Sequence, residues 1–337
     1  MAPKTCLIIN PAAGKKAGLT TNALGVDDVK ALLERHGIEA DVLETERADH
    51  GTELARQAVR DGYERVIAAG GDGTVTEVAE GLVGSDAILG ILPLGSVMNV
   101  ARMLGIPRDL EGAAAVIERG EVVKMDAGRA DGGASSRFFL EAAGIGIDAG
   151  VFAFTNEVDR GNWRMIVPLL RYFVRYRPRR IDVRLDGKVS RFRAMMVSVA
   201  NGPFVGAALT MAPDAQLDDG YFDVRIFTRF SKVELIRHFI SIVGGRRAYN
   251  PKVLLRRAKV VEISSRRPLM AHADSHPIGS TPARFELIPG AIRVTVGGDA
   301  ALESAPIASV PASEPPSSEP LPNEGARFRL PLTTATH

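Results

Sequence analysis

The sequence predicts an α/β N-terminal domain with a Rossmann-like parallel sheet, then a β-rich second domain and a disordered tail. Three observations carry this reading. Across residues 1–124 short apolar runs alternate with helical patterns, which places helices on both faces of a parallel sheet. Across 125–300 strand-like segments dominate, with two helical patterns among them. Across 301–337, "ASVPASEPPSSEPLPNEG" is rich in Pro, Ser and Glu and offers too little apolar surface to offset the entropy of ordering. The length of 337 residues favours two domains, and 45% apolar residues supply ordinary cores.

In chain order, "TCLIIN" reads as a strand and "DDVKALLERHG" as a helix ending at Gly37. "EADVLET" is a second strand and "HGTELARQAVRDG" a second helix. "RVIAAGG" is a third strand leading into the helix "TVTEVAEGL". "ILGILP" is a fourth strand, and "VMNVARMLG" and "DLEGAAAVIERG" are helices. In the second domain "RFFLEAAGIGID", "RIDVRLDG", "KVSRFRAMMVSVA", "GYFDVRIF", "KVVEISS", "ARFELIPG" and "AIRVTV" are strand-like. Alternation on both sides of Asp186-Gly187 signals a hairpin. The two helical patterns are residues 163–176 and "SKVELIRHFISIVGG".

Composition excludes several classes. The single cysteine, Cys6, rules out an internal disulfide and suits a reducing, cytoplasmic setting. The N-terminus "MAPKTCLIINPAAGKK" turns polar too soon for a signal peptide. The uncharged run "AMMVSVANGPFVGAALTMAP", residues 194–213, carries Asn201, Gly202, Pro203 and Gly206 at its middle. It reads as two buried strands joined by a loop rather than a membrane span. Net charge is +2 but uneven: Arg160 to Arg193 holds eleven Arg or Lys against Asp182 and Asp186. Arg246 to Arg267 holds eight against Glu262. Such patches suit phosphate or an anionic membrane surface, or are simply solvated faces; no nucleic-acid partner is expected.

In "AAGGDGTVTEVAEG", residues 68–81, Gly70, Gly71 and Gly73 surround Asp72 between a strand and a helix. Ligands bind at the carboxyl ends of strands in open parallel sheets. Glycines let the backbone approach a ligand closely. The helix beginning near Thr74 aims free N–H groups at the loop, which favours phosphate. Asp72 then needs a cation, a hydroxyl or a proton to handle. Magnesium bridging phosphates, or a substrate hydroxyl, fits phosphoryl transfer; a tight turn whose Asp caps the helix is the alternative. No Walker loop is present, because Gly14-Lys15 lacks the earlier glycine and the following Ser or Thr. "GIGIDAG", residues 144–150, lacks dinucleotide spacing.

Together with "NPAAG" at 10–14 and "LPLGSVMNVAR" at 92–102, "GGDGTVTEV" closely resembles the diacylglycerol kinase catalytic family, its bacterial lipid kinases in particular. "AAGIGIDAGVF" and "PDAQLDDGYFDV", residues 213–224, continue the match, which runs in order from about residue 5 to 296. NAD kinases share "GGDGT", but not the other two N-terminal strings. The resemblance implies an ATP-binding α/β domain of NAD kinase/diacylglycerol kinase type, a β-rich sandwich domain and a cleft between them. Carried over, Asn10 contacts ATP, Thr45 lies by the nucleotide, and Gly70, Gly71, Asp72, Gly73, Thr74, Val75 and Thr76 hold phosphates. Gly95, Ser96 and Asn99 of the third string join them. Ser96 stands where the family has Thr and keeps the hydroxyl, while Val100 replaces the family's Asp. The family's magnesium site falls on the Gln216 carbonyl, the Asp219 carboxylate and the Tyr221 carbonyl, oxygen donors that suit the ion. Without the family, Asp218-Asp219-Gly220 reads as a plain hairpin turn.

One departure stands out. The family's bacterial members carry Asp-Gly-Glu near the end, the Glu being the catalytic base. Here "AHADSHPIG" keeps Asp274, has Ser275 for the Gly and puts His276 where the Glu belongs. Imidazole accepts a proton near neutral pH, so His276, with Asp72 and Asp274, is the expected catalytic set. His272 is a nearby alternative, and related sphingosine kinases assign the base to the Asp of the glycine motif, here Asp72.

The implied reaction is ATP- and Mg2+-dependent phosphorylation of a lipid alcohol such as diacylglycerol. A catalytically impaired lipid- or nucleotide-binding regulator and an NAD-kinase-like cofactor kinase compete with it. "NWRMIVPLLRYFVRYRPRR", residues 162–180, spaces Met165, Leu169, Leu170, Phe173 and Val174 on a helix with Arg164, Arg171 and Arg175 between. That suits a peripheral place on an anionic membrane; a core helix with a solvated basic side is the alternative. Oligomeric state leaves no mark on the sequence, a homodimer being one option.

Overall fold

A computed structural model describes residues 3–13, 15–16, 19–20, 25–152, 162–206, 209–228, 233–234, 237, 253–298 and 300. They lie in one compact unit, Met1–Glu303. Strand β1 (Thr5–Ile9) leads to the short pair β2 (Lys15–Lys16) and β3 (Leu19–Thr20), then α1 (Val26–Arg35), β4 (Ala40–Glu44) and α2 (His50–Arg60). Next come β5 (Arg65–Gly70), α3 (Asp72–Leu82), β6 (Ile88–Pro93), α4 (Asn99–Met103) and α5 (Leu110–Arg119). β4, β1, β5 and β6 pair in that order, all parallel. "TCLII" is buried along its whole length and "RVIAAG" along all but its first residue. Near-continuous apolar runs are what strands covered on both faces require. α1 packs with α5, and α2 with α3. The chain reverses its direction across the sheet between α1 and α2, so right-handed crossovers put the two pairs on opposite faces.

After α5 the pairing turns antiparallel. The strands are β7 (Glu121–Gly133), β8 (Ser136–Phe139), β9 (Ala142–Gly146), β10 (Arg179–Leu185) and β11 (Lys188–Ala200). They continue through the small pair β12 (Phe204–Val205) and β13 (Leu209–Thr210), then β14 (Phe222–Thr228), β15 (Val253–Ala258), β16 (Val260–Ser265), β17 (Met270–Ala273) and β18 (His276–Val296). Residues 147–152 are helical, and α6 (Ile166–Arg175) follows one 3-10 turn at Trp163–Met165. β18 pairs antiparallel with β7 and β16, yet its end runs parallel to β6, Arg293 opposite Ile88 and Val294 opposite Leu89. Among the described residues this joins fourteen strands into one sheet. One core gathers β1, β5, β6 and their helices around Leu217 and Ile292; a second gathers Phe139, Phe222 and Phe285.

The expected hairpin at Asp186-Gly187 is present, with Leu185 opposite Lys188 and positive φ at both turn residues, 45° and 87°. Other expectations need correction. The helix after the glycine loop begins at Asp72 itself, so this acid sits in the first turn. "VMNVARMLG" yields only the five residues of α4, because Met98 at φ 58° starts it late. "RFFLEAAGIGID" is two strands, broken at Leu140-Glu141, and its end is helical from residue 147. "ARFELIPG" and "AIRVTV" belong to the single strand β18, with a register shift between Ile288 and Ile292. Ala194–Ala200 is a buried strand as expected, but only the two-residue β12 and β13 follow its loop. "VLLRRA" went unread as a strand. "SKVELIRHFISIVGG" lies almost wholly outside the described residues, and 301–337 entirely so.

β17 and β18 join through Asp274 and Ser275, whose φ values of 43° and 63° are both left-handed. An L residue in that region is unfavourable by about 1 kcal/mol or more. Ser275→Gly should therefore stabilise the protein by about 1 kcal/mol, raising Tm by roughly 2 °C. Thermal melts of the two proteins check this; a lower Tm in the variant would mean that the serine's own contacts outweigh the strain.

Candidate active site

The carboxyl ends of the parallel strands open into a cleft of about 580 Å³. Asn10 lines it after β1, Thr45 and Arg47 after β4, Gly71, Asp72, Gly73 and Thr74 after β5, and Gly95 and Ser96 after β6. The glycines are explained by contact. A Cβ on Gly95 would lie 2.7 Å from the Gly71 Cα, so the two loops meet backbone to backbone. A Cβ on Gly73 meets nothing within 4 Å, so that side faces open space. The first intrahelical bond of α3 is Val75 N–H to Gly71 O at 3.0 Å. The preceding N–H groups and the positive end of the helix dipole therefore point into the cleft. Asn10 is fixed by an Ala12 N–H donating to its Oδ1 at 2.9 Å, while its Nδ2 donates to Thr74 Oγ1 at 3.2 Å.

Four residues expected at the phosphates do not line the cleft. Gly70 ends β5 against Thr74, where a Cβ would come within 2.5 Å. Val75 is fully buried in the core. Thr76 and Asn99 turn instead to a group of acids. Arg47, missed in the sequence, is the cation among the described lining residues and pairs with Glu53 at 2.6 Å. Its signal was its place two residues after Thr45.

That group contains three carboxyls. Asp72 Oδ1 accepts from Val100 N–H at 2.9 Å, and the N–H groups of Asn99 and Met98 also support it. It thus caps α4 rather than its own helix. Burial raises its pKa, and those N–H groups oppose the rise. Asp274 accepts from three consecutive N–H groups, Leu140 at 2.9 Å, Glu141 at 3.0 Å and Ala142 at 3.1 Å, and from Thr76 Oγ1 at 3.5 Å. Those bonds turn the backbone of Leu140 and Glu141 away from strand pairing, which breaks the predicted strand. Burial pushes the Asp274 carboxyl up to about 6 against the pull of these donors, with the Asp72 charge adding to the rise. The third acid is Glu141, 5% exposed, whose Oε2 accepts from Asn99 Nδ2 at 2.7 Å. Sequence reading passed over it as part of a strand; a lone acid within "FFLEAAG" was the available signal.

His276 is exposed at the start of β18, its Nδ1 2.8 Å from the Asp274 carbonyl oxygen. With Nδ1–H donating there, Nε2 is the proton acceptor of the neutral ring. His272 belongs to another group: it is 2% exposed, 3.2 Å from Asp148 and beside the Phe152 ring. The structure therefore joins Asp72 and Asp274 through Asn99 and Glu141, and sets His276 on the outer side of the same turn.

Residues Gln216 to Tyr221 form a separate turn. Asp126, buried under it, accepts from Gly220 N–H and Gly290 N–H, each at 2.7 Å. Asp219 is 3% exposed; its Oδ1 accepts from Tyr221 N–H at 2.9 Å. Its Oδ2 is ion-paired with the guanidinium of Arg257. Among the described residues no three His, Cys, Asp or Glu side chains are grouped to hold a metal. A divalent ion here would rest on one carboxylate and main-chain carbonyls. The buried Oδ2 fits that role once Arg257, half exposed, swings aside.

Comparison with known proteins finds a family and a fold. Residues 4–130 match the diacylglycerol kinase catalytic domain, and 142–296 match the YegS C-terminal NAD kinase beta sandwich-like domain. Diacylglycerol kinases of Staphylococcus aureus strains RF122 / ET3-1 and JH9 are each 30% identical over 295 residues, covering 85% of this chain and 90% of theirs. A diacylglycerol kinase structure from Bacillus anthracis str. Sterne superposes with a TM-score of 0.67 at 21% identity, covering 88% of this chain and 97% of the other. A second structure from that organism gives 0.69 at 23% identity, covering 88% and 98%. At such identities these two likenesses speak for the fold.

The open space at the glycine loop gives a direct test. A Gly71 side chain would have 3.9 Å of clearance from the Gly95 Cα, so Gly71→Val should fold and place its methyls in the cleft. Nucleotide affinity measured by calorimetry should fall by about a hundredfold or more, roughly 2.7 kcal/mol, with Tm little changed. Unaltered affinity in the folded variant would remove the loop from the phosphate site.

Proposed function

The chain belongs to the diacylglycerol kinase family, and from that premise we propose that it phosphorylates the hydroxyl of a lipid alcohol, using ATP and magnesium. The observation that carries the reading is the cleft in which two glycine loops touch, with the start of α3 and the Asp72 carboxylate in its wall. We read the four parallel strands as a Rossmann-like sheet for the nucleotide within residues 1–124. The antiparallel strands of 125–300 form the lipid-side sandwich, with 301–337 as a tail.

In this reading the N–H groups at Gly71, Gly73 and Thr74 bind phosphate oxygens, with Ser96 opposite and Asn10 and Thr45 along the nucleotide. Arg47 adds a positive charge at the mouth. Magnesium, when bound, screens charge on the transferring phosphoryl group. Gln216, Asp219 and Tyr221 would hold an ion, steadying the turn that Asp126 anchors. The acceptor hydroxyl must lose a proton during transfer. His276 takes it on Nε2, while the Asp274 carbonyl fixes the ring's tautomer. Asp72 is the alternative acceptor, since it stands in the cleft wall as a carboxylate.

α6 supports peripheral membrane attachment. None of its residues is buried, and Ile166, Val167, Leu170 and Val174 are 47%, 65%, 62% and 57% exposed. Arg171 and Arg175 are exposed beside them. An apolar stripe edged by arginine matches a surface of anionic headgroups over acyl chains. Among the described residues no helix is long and apolar enough to cross a membrane. A soluble cofactor as acceptor would leave this face without a use.

Labelled ATP and a panel of lipid alcohols test the reaction class; absence of transfer to any of them, with ATP still bound, would favour the regulator. An imidazole base gives an acidic limb in turnover, since the neutral ring is the active form. The Asp274 carboxyl at about 6 gives a similar limb, so the variant decides. His276→Gln should cut turnover by about a hundredfold and leave only the carboxyl's limb, with ATP affinity intact. Full turnover with the limb retained would transfer the role to a carboxylate.

Membrane attachment has its own test. Changing Arg171, Arg175, Arg179 and Arg180 to Gln should weaken co-sedimentation with anionic vesicles by about 1 kcal/mol per residue, and salt should do the same. Binding indifferent to both would exclude the surface.

A further inference from the structure

The kinase reading leaves Glu141 without a role. Hydrogen bonds connect it on both sides. Asp72 is supported by the Asn99 N–H; Asn99 Nδ2 donates to Glu141 Oε2 at 2.7 Å. The Glu141 N–H donates to Asp274 Oδ1 at 3.0 Å. Asp274 Oδ2 lies 3.5 Å from Thr76 Oγ1, one turn along α3 from Asp72, so the chain of contacts closes into a ring. Glu141 also fixes the turn after β11: its carbonyl accepts from Asn201 N–H at 2.9 Å and Gly202 N–H at 3.0 Å. The Gly206 carbonyl shares the Asn99 amide at 2.8 Å. Both side-chain N–H bonds of Asn99 are thus spent on Glu141 and this turn, while its buried Oδ1 makes no hydrogen bond. The amide's orientation is set from the Glu141 side.

Three carboxyls in one such ring repel strongly if all are ionised, so the one with least support holds a proton. Asp72 has three backbone donors and Asp274 three backbone donors and a hydroxyl. Glu141 has the Asn99 amide and the Gly206 N–H, and it is 95% enclosed. We propose that Glu141 is a positioning residue that remains a neutral carboxylic acid in the working enzyme, which keeps Asp72 and Asp274 ionised and holds Asn99 and the turn 201–206 in place. Burial is the largest influence raising its pKa well above the ordinary range, followed by the Asp274 and Asp72 charges; Asn99 and Gly206 oppose them. Among the described residues those two carboxylates are the charged groups facing it.

The role in turnover rests on the kinase reading, but the proton itself can be detected without activity. A carboxyl whose folded pKa is raised contributes stability that is present at low pH and lost as pH rises from about 4.3 through the folded value. Glu141→Gln is permanently neutral. It should keep turnover within about threefold at neutral pH, lose the alkaline decline of wild type, and show stability that falls less steeply with rising pH. Glu141→Ala, which leaves the Asn99 amide with the Gly206 carbonyl alone, should lose about tenfold or more. A loss of about a hundredfold in Glu141→Gln at every pH, with nucleotide affinity intact, would overturn the proposal, because a carboxylate would then be required. So would wild-type pH profiles of both turnover and stability. Should the variants fail to fold, carboxyl-labelled glutamate NMR on wild type decides: one glutamate still protonated at neutral pH supports the proposal, and full ionisation overturns it. If wild type phosphorylates no lipid alcohol, the kinase reading fails, while the NMR and stability profiles still report on the Glu141 proton.

Discussion

The Asp274 carboxylate is the point on which the site depends. It collects three consecutive N–H groups from Leu140, Glu141 and Ala142, and its residue adopts a left-handed φ of 43° to do so. A buried backbone donor left without a partner is costly, so this one acid substitutes for a missing stretch of strand ladder. The break it stabilises is what frees Glu141 to turn inward toward Asn99. The same carboxylate reaches Thr76 on α3, so it also ties the antiparallel part of the molecule to the helix that follows the glycine loop. The left-handed turn is tolerated because these bonds over-determine it.

Much of the N-terminal fold was legible because three of its strands are short, buried apolar runs. "TCLII", "RVIAAG" and "ILGILP" coincide with β1, β5 and β6 almost residue for residue. The hairpin at Asp186-Gly187 was equally plain, since both residues tolerate positive φ. What sequence could not reveal depends on distant partners. The break at Leu140-Glu141 is caused by a side chain more than a hundred residues later. "VLLRRA" hides its strand character because Arg256 and Arg257 stand side by side and Leu255 is exposed, so no apolar alternation marks a buried face. Motif reading grouped Gly70 through Thr76 as one phosphate loop, but the helix begins at Asp72, so helical periodicity sends Val75 to the core and Thr76 to the acids.

The two acid-rich regions manage their charge in different ways. Around Asp72 and Asp274 the compensation is backbone N–H groups, which are fixed in place and cannot be exchanged. At Asp219 it is the guanidinium of Arg257, a long and half-exposed side chain that can leave. The first arrangement suits groups that must keep one geometry during transfer. The second suits a place where one cation can be replaced by another.

The parallel pairing of Arg293 and Val294 with β6 has a consequence for biosynthesis. Beyond β6 the sheet is completed by a strand that leaves the ribosome some two hundred residues later. Until then the β6 edge presents unpaired N–H and C=O groups to whatever is nearby. The nascent chain must therefore shelter an open edge for most of its translation, through chaperone contact or slow local folding. Translation speed and chaperone supply, more than the stability of the finished protein, would then govern how much of it accumulates in a producing cell.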